Sequence, residues 1–141
     1  MVKSTKARGA GAIIHYRPTD EFLFFLRDDK PSIPFPNTLD LIGGHVESGE
    51  EPLEAQIREL GEELVDLNNG RSYRPKGYIQ FKQYIDARGV EQNVFALELD
   101  GKKPNLQTNE GQRLVWLSRK QIKESDFAFG FKKIILEYLE K

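Results

Sequence analysis

The chain has 141 residues, of which 38% are hydrophobic and 30% charged. This length suits a single domain over 1–141, large enough to bury a core without a metal or disulfide. The net charge is only -1, from 21 basic and 22 acidic residues, so the overall charge favours neither nucleic acid nor a membrane surface as a partner. The absence of cysteine excludes disulfides, a thiol nucleophile and cysteine metal sites.

The apolar run near the N-terminus is too short for a secretory signal. The longest apolar runs elsewhere are about five residues, far below the length of a membrane-spanning helix. We therefore expect a cytoplasmic protein that does not bind membranes.

The first third of the chain predicts strands that lead to a glycine pair. Residues 10–16 and 21–27 are predicted strands, and the second is apolar without alternation, which is typical of a strand covered on both faces. The proline-rich segment 31–38 predicts an irregular loop. Residues 39–42 then form an extended approach to Gly43-Gly44, which precede a turn.

A helix is predicted from Pro52, because proline is favoured at the first helical position. Its apolar residues recur with helical spacing and form one stripe. The stripe comprises Leu53, Ile57, Leu60 and Leu64. The sequence "NNG" at 68–70 is typical of a helix stop.

The remaining chain alternates strands and helices. The predicted elements are strands at 77–85, 92–99 and 113–118, a short helix capped by Ser118, and a closing amphipathic helix at 131–140. Strands outnumber helices, and the helices fall between and after them. This order predicts an α/β sandwich with a mixed sheet and helices on both faces.

The central helix carries an excess of negative charge that only Arg58 offsets. Its acidic residues are Glu54, Glu59, Glu62, Glu63 and Asp66. Residues three or four apart are neighbours on a helix, and each like-charged pair costs roughly 0.2–0.5 kcal/mol. A solvated acidic face is one explanation. A bound hard cation is the other, since carboxylate oxygens are the ligands that Mg²⁺ and Mn²⁺ prefer, and the glycine pair lets a backbone carbonyl approach the same ion.

The spacing of these residues resembles the Nudix box, over residues 44–66. From Gly44 the chain reads five residues, Glu50, seven residues, then Arg58-Glu59-Leu60-Gly61-Glu62-Glu63. Val65 and Asp66 stand where the box has glycine and an aliphatic residue, and Ile42 where proline often precedes the glycine pair. Without a glycine C-cap, we expect the helix to run one further turn, to 68–70, with Asp66 either beside a metal ion or facing water.

The resemblance implies a Nudix-like α/β/α sandwich that hydrolyses a pyrophosphate bond with Mg²⁺ as cofactor, or with Mn²⁺ in its place. Glu59, Glu62 and Glu63 would then bind the metal with the Gly43 carbonyl, and Arg58 would orient Glu59 or neutralise the cluster. Gly44, Glu47 and Glu50 would shape and support the loop. The family varies in which glutamate takes the proton from water, so the general base stays open.

Outside the box, Glu110 is a candidate metal ligand or general base, with a solvated loop acid as the alternative. Arg27 is a candidate for binding substrate phosphate, with a surface ion pair to a neighbour such as Asp28 as the alternative. His15 and His45 are expected to pack or to hydrogen-bond in loops. Five aromatic residues could stack on a base, although most aromatics belong to a core. These are Phe35, Tyr84, Phe127, Phe129 and Phe131.

Three functions remain open. The first is metal-dependent hydrolysis of a pyrophosphate bond in a nucleoside triphosphate or a small nucleoside-diphosphate-linked substrate. The second is a catalytically silent Nudix-fold module that binds nucleotides or regulates, and the third is an acidic helix that binds a protein partner. We expect a small nucleotide-type substrate and a possible homodimer. No basic stripe with interleaved aromatics appears, which disfavours a nucleic-acid substrate.

Overall fold

A computed structural model of the protein describes residues 7–141. The strands are β1 (Arg8–Tyr16), β2 (Glu21–Leu26), β3 (Leu39–Asp40), β4 (Ile42–His45), β5 (Leu64–Asp66), β6 (Arg71–Ser72), β7 (Ile79–Ile85), β8 (Glu91–Leu99), β9 (Leu106–Thr108) and β10 (Arg113–Leu117). The helices are α1 (Pro52–Glu63), α2 (Arg119–Glu124) and α3 (Phe131–Leu139). Every strand and helix predicted from the hydrophobic patterns is present, with ends shifted by at most two residues except at the end of α1.

The main sheet has seven strands and is mixed. Its order is β10-β2-β1-β8-β7, with β3 paired to β2 and β4 paired to β1. The central pair, β1 and β8, is parallel over nine residues, and the other pairs are antiparallel. The glycine pair lies inside β4, where Gly43 pairs with Gly11 and Gly44 with Ala10, so these glycines belong to a strand.

Helices cover both faces of this sheet. On one face, Phe22 and Phe24 of β2 pack in a buried cluster with Ile135 of α3. On the other face, Leu23 and Phe25 pack in a cluster with Leu60 of α1. The unbroken apolar run of β2 is therefore explained by burial on both sides, and the predicted α/β/α sandwich is confirmed.

The predicted apolar stripe on α1 is wrong in its first half. Leu53 and Ile57 are 41% and 37% exposed, whereas Ala55 and Gln56 are fully buried. The face of α1 that carries Ala55 and Gln56 contacts β4, where the Gln56 side chain donates a hydrogen bond to the Ile42 carbonyl at 3.0 Å. A buried amide with a partner thus takes the place that hydropathy assigned to a larger apolar side chain.

The predicted extra turn of α1 is also wrong, because the helix ends at Glu63. Val65 and Asp66 continue as β5, which lies between β6 and β9 in a second, three-stranded sheet. The Asp66 carboxylate accepts a hydrogen bond from the Asn68 backbone N–H at 2.9 Å and so shapes the turn that follows. Asp66 therefore lies outside the carboxylate face of the helix.

No helix within residues 7–141 has the length and apolar character needed to cross a bilayer.

Candidate active site

A cleft of about 540 Å³ opens where the first residues of β1 meet β4 and the C-terminal half of α1. It brings together six of the ten residues that the resemblance and the strand ends assign to the site: Arg27, Gly43, Gly44, Glu59, Glu63 and Glu110. Glu47, Glu50, Arg58 and Glu62 lie outside the lining, on the side of α1 that faces the loop before it.

The two glycines are required by close approaches of the chain. A Cβ atom on Gly43 would lie 2.0 Å from the Ala10 carbonyl oxygen, and one on Gly44 would lie 2.4 Å from the carboxyl carbon of Glu59. Real Cβ atoms do not approach other atoms this closely. Gly43 thus lets β4 pair closely with β1, and Gly44 makes room for the Glu59 carboxylate at the strand surface.

Arg58 contacts several acidic residues around the loop that precedes α1. Its guanidinium donates to both carboxylate oxygens of Glu50 at 2.8 and 3.0 Å, to Glu59 at 2.8 Å and to the His45 carbonyl at 3.0 Å. The hydrogen bonds from Arg58 lower the pKa of Glu50 to about 2, and those to Glu50 and Glu59 raise the pKa of Arg58. Arg58 therefore ties the loop before α1 to Glu59, as a bidentate arginine can.

Glu63 is the most unusual side chain in the cleft. It is 4% exposed, and its Oε2 atom accepts no hydrogen bond from any residue that the structure describes. Burial, with the nearby Glu110 and Glu59 carboxyls adding to it, raises the pKa of Glu63 to about 10. Burial also raises the pKa of Glu59. Three carboxyl groups thus approach one another, and no basic side chain among residues 7–141 is paired with Glu63, an arrangement that costs free energy.

The loop that carries Glu110 is fixed at both ends. The Asn109 backbone N–H donates to the Glu63 carbonyl at 2.7 Å, and the Gln112 backbone N–H donates to the Leu26 carbonyl at 2.8 Å. Gly111, between them, has a φ of +69°, and a Cβ there would lie 2.6 Å from the Leu26 carbonyl oxygen. This glycine allows the loop to lie against β2 and so brings Glu110 to the end of α1.

Glu62 points away from this group. Its side chain is 57% exposed and lies 3.4 Å from Arg58, one helical turn earlier. A surface pair of this kind contributes little to stability. Glu62 is therefore free to reorient, whereas Glu59 and Glu63 are held in place by packing.

Arg27 lies in the cleft but already has partners. It donates to the Asp40 carboxylate at 2.9 Å and to the Pro34 carbonyl at 3.0 Å. Burial raises the pKa of Asp40 to about 6 in spite of this ion pair. The arginine is thus anchored at the end of β2, with its guanidinium carbon 4.9 Å from the centre of the Phe129 ring.

Two further cleft residues come from loops far from the box. The guanidinium carbon of Arg88, in the turn between β7 and β8, lies 4.4 Å from the centre of the Phe129 ring. Phe129 was one of five aromatic candidates, and the structure places it between two arginines. Arg88 carried no sequence signal beyond its position in a turn.

The residues of the cleft fit a divalent cation in their chemistry. Carboxylate and backbone carbonyl oxygens are the donors that Mg²⁺ takes, and Gly43 and Gly44 of β4 line the cleft beside the carboxyls. The unpaired Oε2 of Glu63 is the kind of atom that an ion would satisfy. Within residues 7–141, no three acidic or histidine side chains stand close enough to form a ready-made metal cluster. The exposed Glu62 is the side chain that could complete one by turning inward.

Comparison with known proteins supports the assignment of the fold and the family. A family model described as "NUDIX domain" matches residues 5–138. No curated protein matches the chain in sequence.

Solved structures resemble the chain over nearly all of its length. A MutT structure from work on Aliivibrio salmonicida and Vibrio cholerae is 18% identical, with a TM-score of 0.74 over 94% of this chain and 96% of that one. The NUDIX domain of Shewanella oneidensis NrtR, complexed with ADP ribose, is 16% identical, with a TM-score of 0.75 over 98% and 89%.

A third structure comes from a larger protein. The bifunctional NMN adenylyltransferase/ADP ribose pyrophosphatase of Francisella tularensis, complexed with AMP and a Mn ion, is 21% identical, with a TM-score of 0.73. The match covers 98% of this chain and 42% of that one. At these identities the likeness establishes the shared fold.

Proposed function

We propose that this chain, which belongs to the Nudix family, is a pyrophosphohydrolase that cleaves the pyrophosphate bond of a small nucleotide substrate with the help of a divalent metal ion. The proposed ligands are Glu59, Glu62, Glu63, Glu110 and the Gly43 carbonyl. Nudix hydrolases generally use divalent metals, and Mg²⁺ is the ion we propose here, with Mn²⁺ as an alternative.

The observation that carries this proposal is the unpaired carboxylate of Glu63. Its Oε2 atom is buried without a hydrogen-bond partner in the described residues, beside Glu59 and Glu110. A purely structural acid is normally paired when buried, because an isolated charge loses its hydration. A cation ligand explains why Glu59, Glu63 and Glu110 are held together although Arg58 donates a hydrogen bond to only one of them, Glu59.

The protein's own groups would divide the work. A bound ion would lower the pKa of its water and screen the charge of the diphosphate. Arg58 holds Glu59 at the surface of Gly44 by its hydrogen bond, and the fixed loop holds Glu110 near Glu63. Glu110 is the candidate for accepting the proton of the attacking water, since it lies in the cleft.

The opposite wall of the cleft suits an anionic, ring-bearing substrate. Arg27 and Arg88 both line it, with Phe129 between them. Arginines bind phosphate oxygens in a bidentate manner, and an aromatic face can stack on a base. The ADP ribose and AMP bound by two of the similar structures agree with a nucleotide substrate for this chain.

A silent nucleotide-binding module would have the same fold. The unpaired Glu63 favours the hydrolase hypothesis over the silent module. A module that only binds nucleotides would gain nothing from a buried carboxyl group that lowers stability.

The test is hydrolysis of a panel of nucleoside triphosphates, nucleotide sugars and dinucleoside polyphosphates with Mg²⁺ or Mn²⁺. Phosphate is measured after addition of pyrophosphatase and, in a separate arm, of phosphatase. We expect turnover of at least one substrate and a loss of about 100-fold or more in Glu63→Gln, because metal ligands contribute several kcal/mol to catalysis.

Glu124→Gln, an exposed change on α2, is the matched control and should retain activity. Absence of turnover across the panel would refute hydrolysis. Full activity in Glu63→Gln would refute the assignment of the site.

A further inference from the structure

A second cavity of about 540 Å³ adjoins the cleft. Arg88 and Phe129 line both, so a ligand that extends past these two residues leaves the cleft and enters the second cavity. The other side chains that matter here are Phe35, Lys82, Tyr84 and Lys133, from the proline-rich loop, from β7 and from α3.

Two aromatic residues near the junction of the cavities, Phe35 and Phe129, have strained backbone conformations. Phe35 and Phe129 have φ angles of +49° and +56°, a region that bulky residues rarely adopt. Their rings meet edge to face, with centroids 4.9 Å apart, although Phe35 remains 44% exposed. Such strain persists where the surrounding structure fixes it and is often found at ligand sites. The two rings present a surface on which a planar base can stack.

The phenol of Tyr84 lacks a partner in this cavity. Its hydroxyl oxygen is buried and forms no hydrogen bond with the residues that the structure describes. Burial raises the pKa of Tyr84 to about 12, so the hydroxyl keeps its proton and can donate it in a hydrogen bond. An acceptor atom on a ligand would remove the cost of this unsatisfied group.

Among residues 7–141, the cavity has more cationic than acidic side chains, and one of its cations forms no ion pair. Lys82 is paired with Glu137, and Arg88 lies 2.8 Å from Asp86. Lys133 lines the cavity and forms no ion pair among residues 7–141. Three cations therefore face two carboxylates, and the surplus favours an anion such as a phosphate.

We propose that this second cavity binds the distal nucleotide of a substrate whose pyrophosphate lies in the cleft. The inference rests on the proposed hydrolase function and narrows its substrate class. A dinucleoside polyphosphate supplies a base for the Phe35 and Phe129 rings and a phosphate for Lys133. A nucleoside triphosphate has no second nucleoside and leaves the cavity unused.

Diadenosine tetraphosphate and ATP form a matched pair of probes, because they differ by one adenosine monophosphate unit. We expect the ratio of kcat/KM for the tetraphosphate over that for ATP to fall about tenfold in Tyr84→Phe and in Lys133→Gln, the usual effect of one hydrogen bond to a charged or buried group. Tyr73→Phe, on the opposite face of the sheet, and Lys123→Gln, exposed on α2, are the matched controls and should leave the ratio within about twofold.

Binding is measured in parallel by titration calorimetry with diadenosine tetraphosphate and Mg²⁺. Glu63→Gln serves as the background, with and without Lys133→Gln. We expect Kd to rise about tenfold in the double variant. If the wild type hydrolyses neither probe, the proposed function fails on these probes and the Kd values alone decide the role of the cavity. Unchanged ratios together with an unchanged Kd would overturn the proposal.

Discussion

Acidic side chains cluster at both ends of β1, but they are paired with donors at one end and lack such partners at the other. At the first end, beside Gly9–Gly11, Glu63 approaches Glu59 and Glu110 with a buried oxygen atom that has no partner in the described residues. At the other end, around His15, the acidic residues Asp20 and Glu98 each contact a donor.

The His15 cluster, formed by His15, Asp20, Glu98, Arg119 and Tyr138, is a network of satisfied groups. The His15 ring nitrogens lie 2.7 Å from Asp20 and 2.5 Å from Glu98, and its ring stacks on Phe22 at 4.2 Å. Arg119 donates to Asp20 at 2.7 Å, and the Tyr138 hydroxyl donates to Glu98. Every carboxylate here has a partner within the fold, so the cluster needs no ligand.

Both clusters contain buried ionisable groups, and they differ in whether these groups are paired within the fold. We assign the paired His15 cluster a structural role and propose a functional role for the unpaired cluster around Glu63. The structural cluster should lose stability when a member is removed and should leave the chemistry intact. The functional cluster should gain stability and lose its chemistry. Three changes test this distinction, beginning with the largest expected effect.

The largest effect on stability is expected for His15→Leu. The change removes two hydrogen bonds to carboxylates and should lower the free energy of unfolding by about 2 kcal/mol. Urea unfolding measures the loss, and kcat/KM should stay within about twofold of the wild type, because His15 lies at the far end of β1 from the cleft. A large fall in kcat/KM in a folded variant would contradict the claim that the His15 cluster has only a structural role.

A smaller effect of the opposite sign is expected for Glu63→Gln in the presence of EDTA. Glutamine removes an unpaired buried carboxyl and offers an N–H donor to the neighbouring acids, so the free energy of unfolding should rise by about 1 kcal/mol. Thermal and urea unfolding without metal measure the gain, with Glu124→Gln again as control. A marked loss of stability would show that Glu63 is paired in solution and that the cluster is structural.

Part of the candidate site can be predicted from the sequence, because the residues of the box lie close together in the chain. Its carboxylates lie on two turns of one helix, so spacing alone predicts that Glu59, Glu62 and Glu63 are neighbours. Spacing could not separate them, however. Whether a side chain is packed, as Glu63 is, or exposed, as Glu62 is, depends on strands that contact the helix from elsewhere.

The end of the helix shows where local patterns fail. Val65 in place of glycine indicates the loss of a C-cap and predicts a longer helix. The chain leaves the helix because Val65 pairs with Ser72 and with Gln107 in the small sheet. A partner as distant in the chain as Gln107 leaves no trace in the local pattern, and β-branched Val65 suits a strand.

The wall of the cleft opposite the carboxyl groups was the part of the candidate site that the sequence predicted least. Arg88 and Phe129 belong to segments with no shared motif, and only the parallel pairing of β1 with β8 and the packing of α3 bring them together. The strained φ of Phe129 likewise leaves no signature, because phenylalanine is a poor choice for that conformation.

The smallest effect concerns the acid response of the His15 cluster. The hydrogen bond from Arg119, and then that from His15, holds the pKa of Asp20 below its usual value, which is about 3.9 in an unfolded chain. The native state therefore binds fewer protons at Asp20 than the unfolded state does. Its contribution to stability is fully present above about pH 5 and is lost as the pH falls below about 4.

Asp20→Asn removes this titration without straining the backbone, since asparagine tolerates the φ of +54° found here. The difference in unfolding free energy between wild type and variant, measured with urea, should be constant from about pH 7 to 5 and should shrink towards about pH 3. In an Arg119→Gln background the shrinkage should largely vanish, because the main cause of the lowered pKa is then gone. A difference that grows on acidification would mean that Asp20 binds protons more readily in the folded protein, and the His15 cluster would then not be the fully paired counterpart of the cleft.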